Sequence, residues 1–278
     1  MTALRLSTIR VEKPWGRQQL WPGFADADGA LVGEVWYEAP AGPQPELLIK
    51  YLFTSERLSI QVHPDDAAAR VAGYPRGKDE AWVVLAAEPD STIALGLKRA
   101  ASRDELRAAA LDGSIETLVD WRPVKAGDFI YSPAGTIHAI GAGLTIIEVQ
   151  QNLDLTYRLY DYGRPRELHL DAGAAVADLA PFTHHSATHD LGNGRTILCE
   201  GDKFVMERWT WEGTRIVDLP ADMNGWLILV AGDGALNASA AAAGDCWLLD
   251  RITRLTLNAG ATVLFAYLGG SVLPDIFG

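Results

Sequence analysis

Short runs rich in Val, Ile, Trp and Tyr recur along the chain, most of them closed by Gly, Pro or Asp, and this rhythm limits the fold more than any other feature. Branched and aromatic side chains favour pleated backbone, and turn residues at the ends hold each run to strand length. Residues 33–39, 47–53, 58–63, 80–86, 128–132 and 145–150 read as strands, and 203–210, 226–230, 246–249, 254–257 and 262–268 repeat the style in the C-terminal third. Many short strands with turn signals point to a mainly β sandwich or barrel. At about 150 residues per domain, a chain of 278 residues holds two units or one large β unit.

Helical signals are few. Residues 65–74 carry good helix formers after a His-Pro step, and 102–111 open on a capping box in which Glu105 stands three residues after Ser102. Residues 114–120 and 171–179 read as further short helices. The His-containing stretch 181–190 reads as a linker, and the alanine-rich patch 238–243 as a loop. A faint repeat is present: Gly127-Asp128-Phe-Ile-Tyr recurs as Gly244-Asp245-Cys-Trp-Leu, and an ungapped alignment sets His138 opposite Leu255. The reading is two related β units, the second without the polar residues of the first; coincidence between two Gly-Asp turns is the alternative.

The net charge of −12 argues against a nucleic-acid-coating protein, which needs a basic field. It leaves room for a small anionic ligand, which a few local cations can hold. Two cysteines, Cys199 and Cys246, are too few for a disulfide scaffold and fit a reduced, cytoplasmic setting. The N-terminus has no apolar core of the signal-peptide kind, and no apolar run is long enough to span a membrane.

The chemistry concentrates in Leu58-Ser-Ile-Gln-Val-His-Pro-Asp65. Alternate side chains of a strand share a face, so Ser59, Gln61 and His63 point one way, and Ile60 and Val62 point into a core. A polar face of this kind does not pack dry unless something polar occupies it. Glu80 follows in Gly77-Lys78-Asp79-Glu80-Ala-Trp82, and His138 follows in Pro133-Ala-Gly135-Thr-Ile-His138. Gln61, His63, Glu80 and His138 together make an N/O donor set that suits zinc or another first-row divalent ion. Any one of these histidines alone is more often structural; the cluster is what carries the reading. His169, His184, His185 and His189 read as solvated rather than as a second metal site.

The element from Gly127 to His138 resembles the second conserved motif of the cupin superfamily. With Gln61-Val-His63-Pro-Asp-Asp66, the Gly77–Trp82 phrase, Gln150-Gln-Asn-Leu-Asp-Leu-Thr-Tyr-Arg158-Leu-Tyr-Asp161, Lys13-Pro-Trp-Gly16 and Gly33-Glu-Val-Trp36, it resembles class I mannose-6-phosphate isomerases in their short bacterial form. The resemblance runs from about Lys13 to His169. It implies a double cupin with a small helical insert around 65–74 and 102–120, a metal-binding unit over 1–180, and a degenerate unit without metal ligands over 181–278. It implies one Zn2+ per chain on Gln61, His63, Glu80 and His138, and active-site roles for Arg158, Lys78 and Glu148. The chain is shorter than the family pattern, which puts the substrate-capping elements in question.

The implied activity is aldose–ketose isomerisation of mannose 6-phosphate and fructose 6-phosphate by proton transfer between C1 and C2. Arg158 offers a permanent cationic fork for an enediolate oxygen. Glu148, alternating with apolar neighbours, is either an acid/base or a partner holding Lys78 or Arg158. Lys50, Lys78 and Arg158 are candidates for the phosphate. Lys50 lies among apolar neighbours and is expected to snorkel to a rim; it and Ser59 are the substrate-contact candidates. A metal-dependent oxygenase is disfavoured by Gln-x-His in place of His-x-His. A non-enzymatic or differently specific sugar-binding cupin is the remaining alternative. The expected partner is a small sugar phosphate, with no nucleic acid and no membrane, and the protein is expected to be a monomer or homodimer.

Overall fold

The computed structural model describes residues 3–183 and 188–277. Strands β1 (Ala3–Arg5), β2 (Ser7–Arg17), β3 (Val32–Glu38), β4 (Leu47–Phe53) and β5 (Ile60–Val62) lead to helix α1 (Asp66–Val71). β6 (Glu80–Ala87) and β7 (Thr92–Leu97) precede α2 (Arg103–Asp112) and α3 (Ile115–Leu118). β8 (Val119–Pro123), β9 (Phe129–Ser132), β10 (His138–Ile140), β11 (Leu144–Gln151) and β12 (Tyr157–Tyr160) follow, then α4 (Leu170–Val176). The remainder is all strand: β13 (His189–Gly192), β14 (Arg195–Glu200), β15 (Phe204–Trp209), β16 (Gly213–Val217), β17 (Gly225–Ala231), β18 (Asp233–Leu236), β19 (Ser239–Ala242), β20 (Cys246–Leu249), β21 (Thr253–Leu257) and β22 (Thr262–Leu268).

These strands form four sheets stacked as two sandwiches. The first pairs the six-stranded β2-β3-β4-β11-β6-β9 with the five-stranded β12-β5-β10-β7-β8. The second pairs the seven-stranded β1-β20-β17-β22-β15-β14-β13 with the four-stranded β16-β21-β18-β19. Alternation along each central strand decides which core a side chain enters. Ile49, Tyr51, Ile147 and Val149 leave the six-stranded sheet on one side and meet Met206, Trp226, Ile228 and Ala266 of the seven-stranded sheet. Leu227, Leu229, Val263 and Phe265 leave the other face of that sheet for Leu255 and Leu257. Leu52, Trp82, Val84 and Ile146 turn inward against Ile93, Leu95 and Ile140 of the five-stranded sheet. The fold is therefore a mainly β double cupin, and the two halves share one apolar layer.

The strand orders repeat. β3-β4-β11-β6-β9 matches β14-β15-β22-β17-β20, and β5-β10-β7 matches β16-β21-β18. The Gly-Asp repeat falls on equivalent strands, since β9 corresponds to β20 and β10 to β21. Leu255, opposite His138 in the repeat, is buried among apolar neighbours.

Helices α2, α3 and α4 cover the outer face of the five-stranded sheet, where Ile60, Val62, Ala94 and Ala139 pack against Leu106, Ala109, Ile115 and Ala174. Asp65 Oδ1 caps α1 by accepting from the Ala68 amide at 2.7 Å. Ser102 Oγ accepts from the Glu105 amide at 3.1 Å, while the Glu105 carboxylate turns to Arg99. One reading is corrected: the alanine patch 238–243 is not a loop. Asn237 turns at φ 52°, and Ser239–Ala242 returns along β18 as β19, because small side chains suit a narrow, exposed hairpin. The stretch 181–190 is described only in part, and His184 and His185 lie outside the described residues.

Candidate metal centre and active site

The inner face of the six-stranded sheet carries rows of side chains set by register. Trp36, Lys50, Glu148 and Trp82 lie side by side across β3, β4, β11 and β6. Gln150 and Glu80 form the next row. Across the sandwich, Arg158, Gln61 and His138 form a row over β12, β5 and β10. The two faces enclose a cavity of about 310 Å³ with a mainly polar lining. Gln61, Glu80, His138, Lys78, Glu148, Arg158, Lys50 and Ser59 all line it, and His63 joins them through Glu80.

The donors converge. One ligand atom from each of His63, Glu80 and His138 lies within 4.8 Å of the others. His63 Nε2 stands 3.2 Å from Glu80 Oε1, and His138 Nε2 stands 3.3 Å from Oε2. The far nitrogens are held by backbone: His63 Nδ1 by the Leu155 carbonyl at 2.9 Å and His138 Nδ1 by the Thr136 carbonyl at 3.0 Å. A carbonyl only accepts, so each Nδ1 carries the proton and each Nε2 turns a lone pair to the centre. Burial lowers the His63 pKa to about 4, assisted by the Lys78 charge, and burial also lowers that of His138. Both rings are therefore neutral near pH 7, the form a metal ligand needs.

Glu80 completes the set. Its oxygens are buried and make no well-directed hydrogen bond, although Lys78 Nζ is 2.7 Å from Oε1. Burial opposes its ionisation, but the Lys78 ammonium holds its carboxyl well below the usual range. An ionised, buried carboxylate short of donors, facing two lone pairs, fits a divalent cation. Gln61 borders the centre with its Nε2 3.3 Å from His138 Nε2, while its Oε1 accepts from Ser59 Oγ at 2.9 Å. A half-turn of the amide exchanges the two atoms and presents the oxygen to the centre.

Charges alternate along the wall beyond the donors. Lys78 pairs with Glu80; Lys50 Nζ lies 3.4 Å from Glu148 Oε2 and 3.8 Å from Glu34 Oε2; Lys13 Nζ lies 3.3 Å from Glu34 Oε1. Lys50 is buried and does not snorkel to a rim, because these carboxylates meet its ammonium inside. It also lies 4.5 Å over the Trp36 ring. Glu148 accepts from Trp82 Nε1 at 2.9 Å, and burial plus the Glu80 charge push its pKa up. Burial favours loss of the Lys78 proton, but Glu80 and Glu148 override it and keep the ammonium charged. Arg158 sits at the mouth, with Nη1 donating to the Glu167 carbonyl at 2.8 Å and a buried Nε without a hydrogen bond. Sequence reasoning did not single out Lys13, Glu34, Trp36, Asp154 or Arg166 as individual site residues, yet all line the cavity. Strand alternation could have found Glu34 and Trp36, which share a face.

Together the fold and the cluster define a double cupin with a candidate metal centre in its first sandwich. No family model matches the chain. It is 39% identical over 176 residues to the mannose-6-phosphate isomerase of Streptococcus mutans, a match over 60% of this chain and 55% of that protein. It is 37% identical over 204 residues to the mannose-6-phosphate isomerase ManA of Bacillus subtilis, covering 67% of this chain and 64% of the relative. The chain thus matches less than two thirds of the length of either relative. The crystal structure of the mannose 6-phosphate isomerase from Bacillus subtilis superposes with a TM-score of 0.83 at 25% identity, over 96% of this chain and 99% of that one. A phosphomannose isomerase variant from Salmonella typhimurium shares the fold, with a TM-score of 0.75 at 12% identity, over 96% of this chain and 100% of that one. By sequence and fold, the chain is similar to mannose-6-phosphate isomerases.

Proposed function

We propose that this protein is a zinc-dependent aldose–ketose isomerase that interconverts mannose 6-phosphate and fructose 6-phosphate. The observation that carries the reading is the pair of imidazoles fixed by backbone carbonyls so that both lone pairs face the buried Glu80 carboxylate. His63, Glu80, His138 and the oxygen of Gln61 would hold the ion, which supplies Lewis acidity at the sugar's C1 and C2 oxygens when bound. Glu148 moves the proton between the two carbons, a task for which its raised pKa suits it. Lys78 keeps its charge beside Glu80 and Glu148 and donates to a substrate oxygen as negative charge develops there. Arg158 supports the same charge from the opposite sheet and, with Lys50 and Ser59, orients the sugar phosphate in the cavity.

In this reading residues 1–180 form the working unit and 181–278 a support without metal ligands. All the proposed donors come from one chain, so a monomer or a homodimer serves equally. Among the described residues no helix is long and apolar enough to cross a membrane. The buried free thiols of Cys199 and Cys246 suit the reducing cytoplasm.

The test is a coupled assay on purified, zinc-loaded protein with mannose 6-phosphate and other hexose phosphates. Interconversion is expected for mannose 6-phosphate, with loss on chelation and recovery on adding zinc. His138→Ala is expected to lose both the metal and nearly all turnover. A zinc-loaded chain that binds sugar phosphates without converting them would overturn the isomerase reading in favour of a binding cupin.

A further inference from the structure

The three donor-bearing segments are fastened to one another outside the cavity, and one fastening comes from the second half of the chain. Asp66, the first residue of α1, accepts three hydrogen bonds: from the Gly77 amide at 2.7 Å, from Gln151 Nε2 at 3.1 Å and from Lys203 Nζ at 2.9 Å. Gly77 lies so close to the chain after His63 that a Cβ there would stand 2.5 Å from the Asp65 carbonyl carbon, and the Lys78 amide donates to the Pro64 carbonyl at 3.1 Å. The segment leading to Lys78 and Glu80 is therefore backbone-packed onto the segment that follows His63.

Gln151 continues the fastening. Its Oε1 accepts from the Asp79 amide at 3.0 Å. The Asp79 carboxylate accepts from the Tyr131 hydroxyl at 2.5 Å and from the Ala134 amide at 3.1 Å, in the turn that leads to His138. Gly135 closes the loop by donating to the His63 carbonyl at 2.8 Å. The turn between β14 and β15 meets this network twice. Lys203 reaches Asp66, and Gly201 approaches Tyr131 so closely that a Cβ would lie 2.5 Å from its hydroxyl.

We infer that Lys203 is a positioning residue: through Asp66 it fixes the Gly77–Glu80 segment and so sets where Lys78 and Glu80 face the cavity. As a statement about catalysis this rests on the isomerase reading above; as a statement about the segment it does not. Lys203 touches none of the cavity-lining donors, and its side chain is partly exposed, so its removal spares the core. Disturbing groups that orient a metal site usually costs about 10- to 100-fold in activity or metal affinity.

The variants are Lys203→Met, which keeps the stem, and Lys203→Arg, which keeps the charge; Lys125→Met, on an exposed side chain between β8 and β9, serves as a control. Lys203→Met is expected to lower kcat about tenfold with KM nearly unchanged, Lys203→Arg to recover most of the loss, and the control to behave as wild type. Amide hydrogen exchange on metal-free protein gives a readout independent of activity: Lys203→Met should speed exchange over 76–80 and leave β4 and β11 as they were. Unchanged exchange overturns the inference outright, and faster exchange with unchanged kcat overturns its catalytic half. A wild-type protein without isomerase activity refutes the function instead, and the exchange experiment still decides whether Lys203 holds the segment.

Discussion

A side chain's chemistry in this cavity depends on what stands behind it. The two imidazoles are ligand-ready because Leu155 and Thr136 carbonyls occupy their far nitrogens. Glu148 is pushed up by burial and by the Glu80 charge, and this has a consequence for pH. A base works only when ionised, and a raised pKa keeps it protonated over a wider acid range. Under the isomerase reading, kcat/KM should therefore fall on acidification with an inflection above the ordinary 4.5 of a glutamate. A profile flat down to that value would assign the proton transfer elsewhere. At this scale the sequence was informative wherever alternation applied, as in Ser59-x-Gln61-x-His63. It was silent on Asp154 and Arg166 as site residues, because a single charge in a loop has no local pattern that tells a cavity from solvent.

The elements followed local rules closely where those rules are strong. Leu47–Phe53 forms the expected strand, and Ser102 caps α2 as the capping-box spacing implies. Ser102→Ala should destabilise the protein by about 1 kcal/mol, the usual worth of such a cap. The helix lies on the outer side of the five-stranded sheet, so turnover should not change; denaturant unfolding alongside a rate measurement checks both. The three- and four-residue strands β5, β9 and β20 lie within expected runs, whereas β7, β8 and β12 were not expected, since tertiary pairing as much as propensity decides which segments join a sheet. The alanine hairpin was misread for a similar reason. Alanine has poor strand propensity, and its extended backbone comes from pairing with β18, itself paired to β21.

Across the whole molecule, a mainly β architecture was readable from turn spacing and two related units from the Gly-Asp repeat, while the double-cupin plan came from the family resemblance; the order of strands within a sheet was not readable, because it depends on contacts far apart in the chain. β1 shows this best: it opens the chain yet pairs with β20 near the other end. Cys199 and Cys246 lie in the shared apolar layer, with burial pushing the Cys199 thiol up to about 12 and the Cys246 thiol well above its ordinary value. Both should resist a thiol-specific reagent at pH 8 in the folded protein and react fully in denaturant. Rapid labelling of the native form would mean that this layer opens readily. The same layer also makes the halves depend on one another. A lobe that serves as its neighbour's back wall is needed whether or not it carries chemistry of its own. Severed lobes would each bare an oily flank, and they should be recoverable only when produced together.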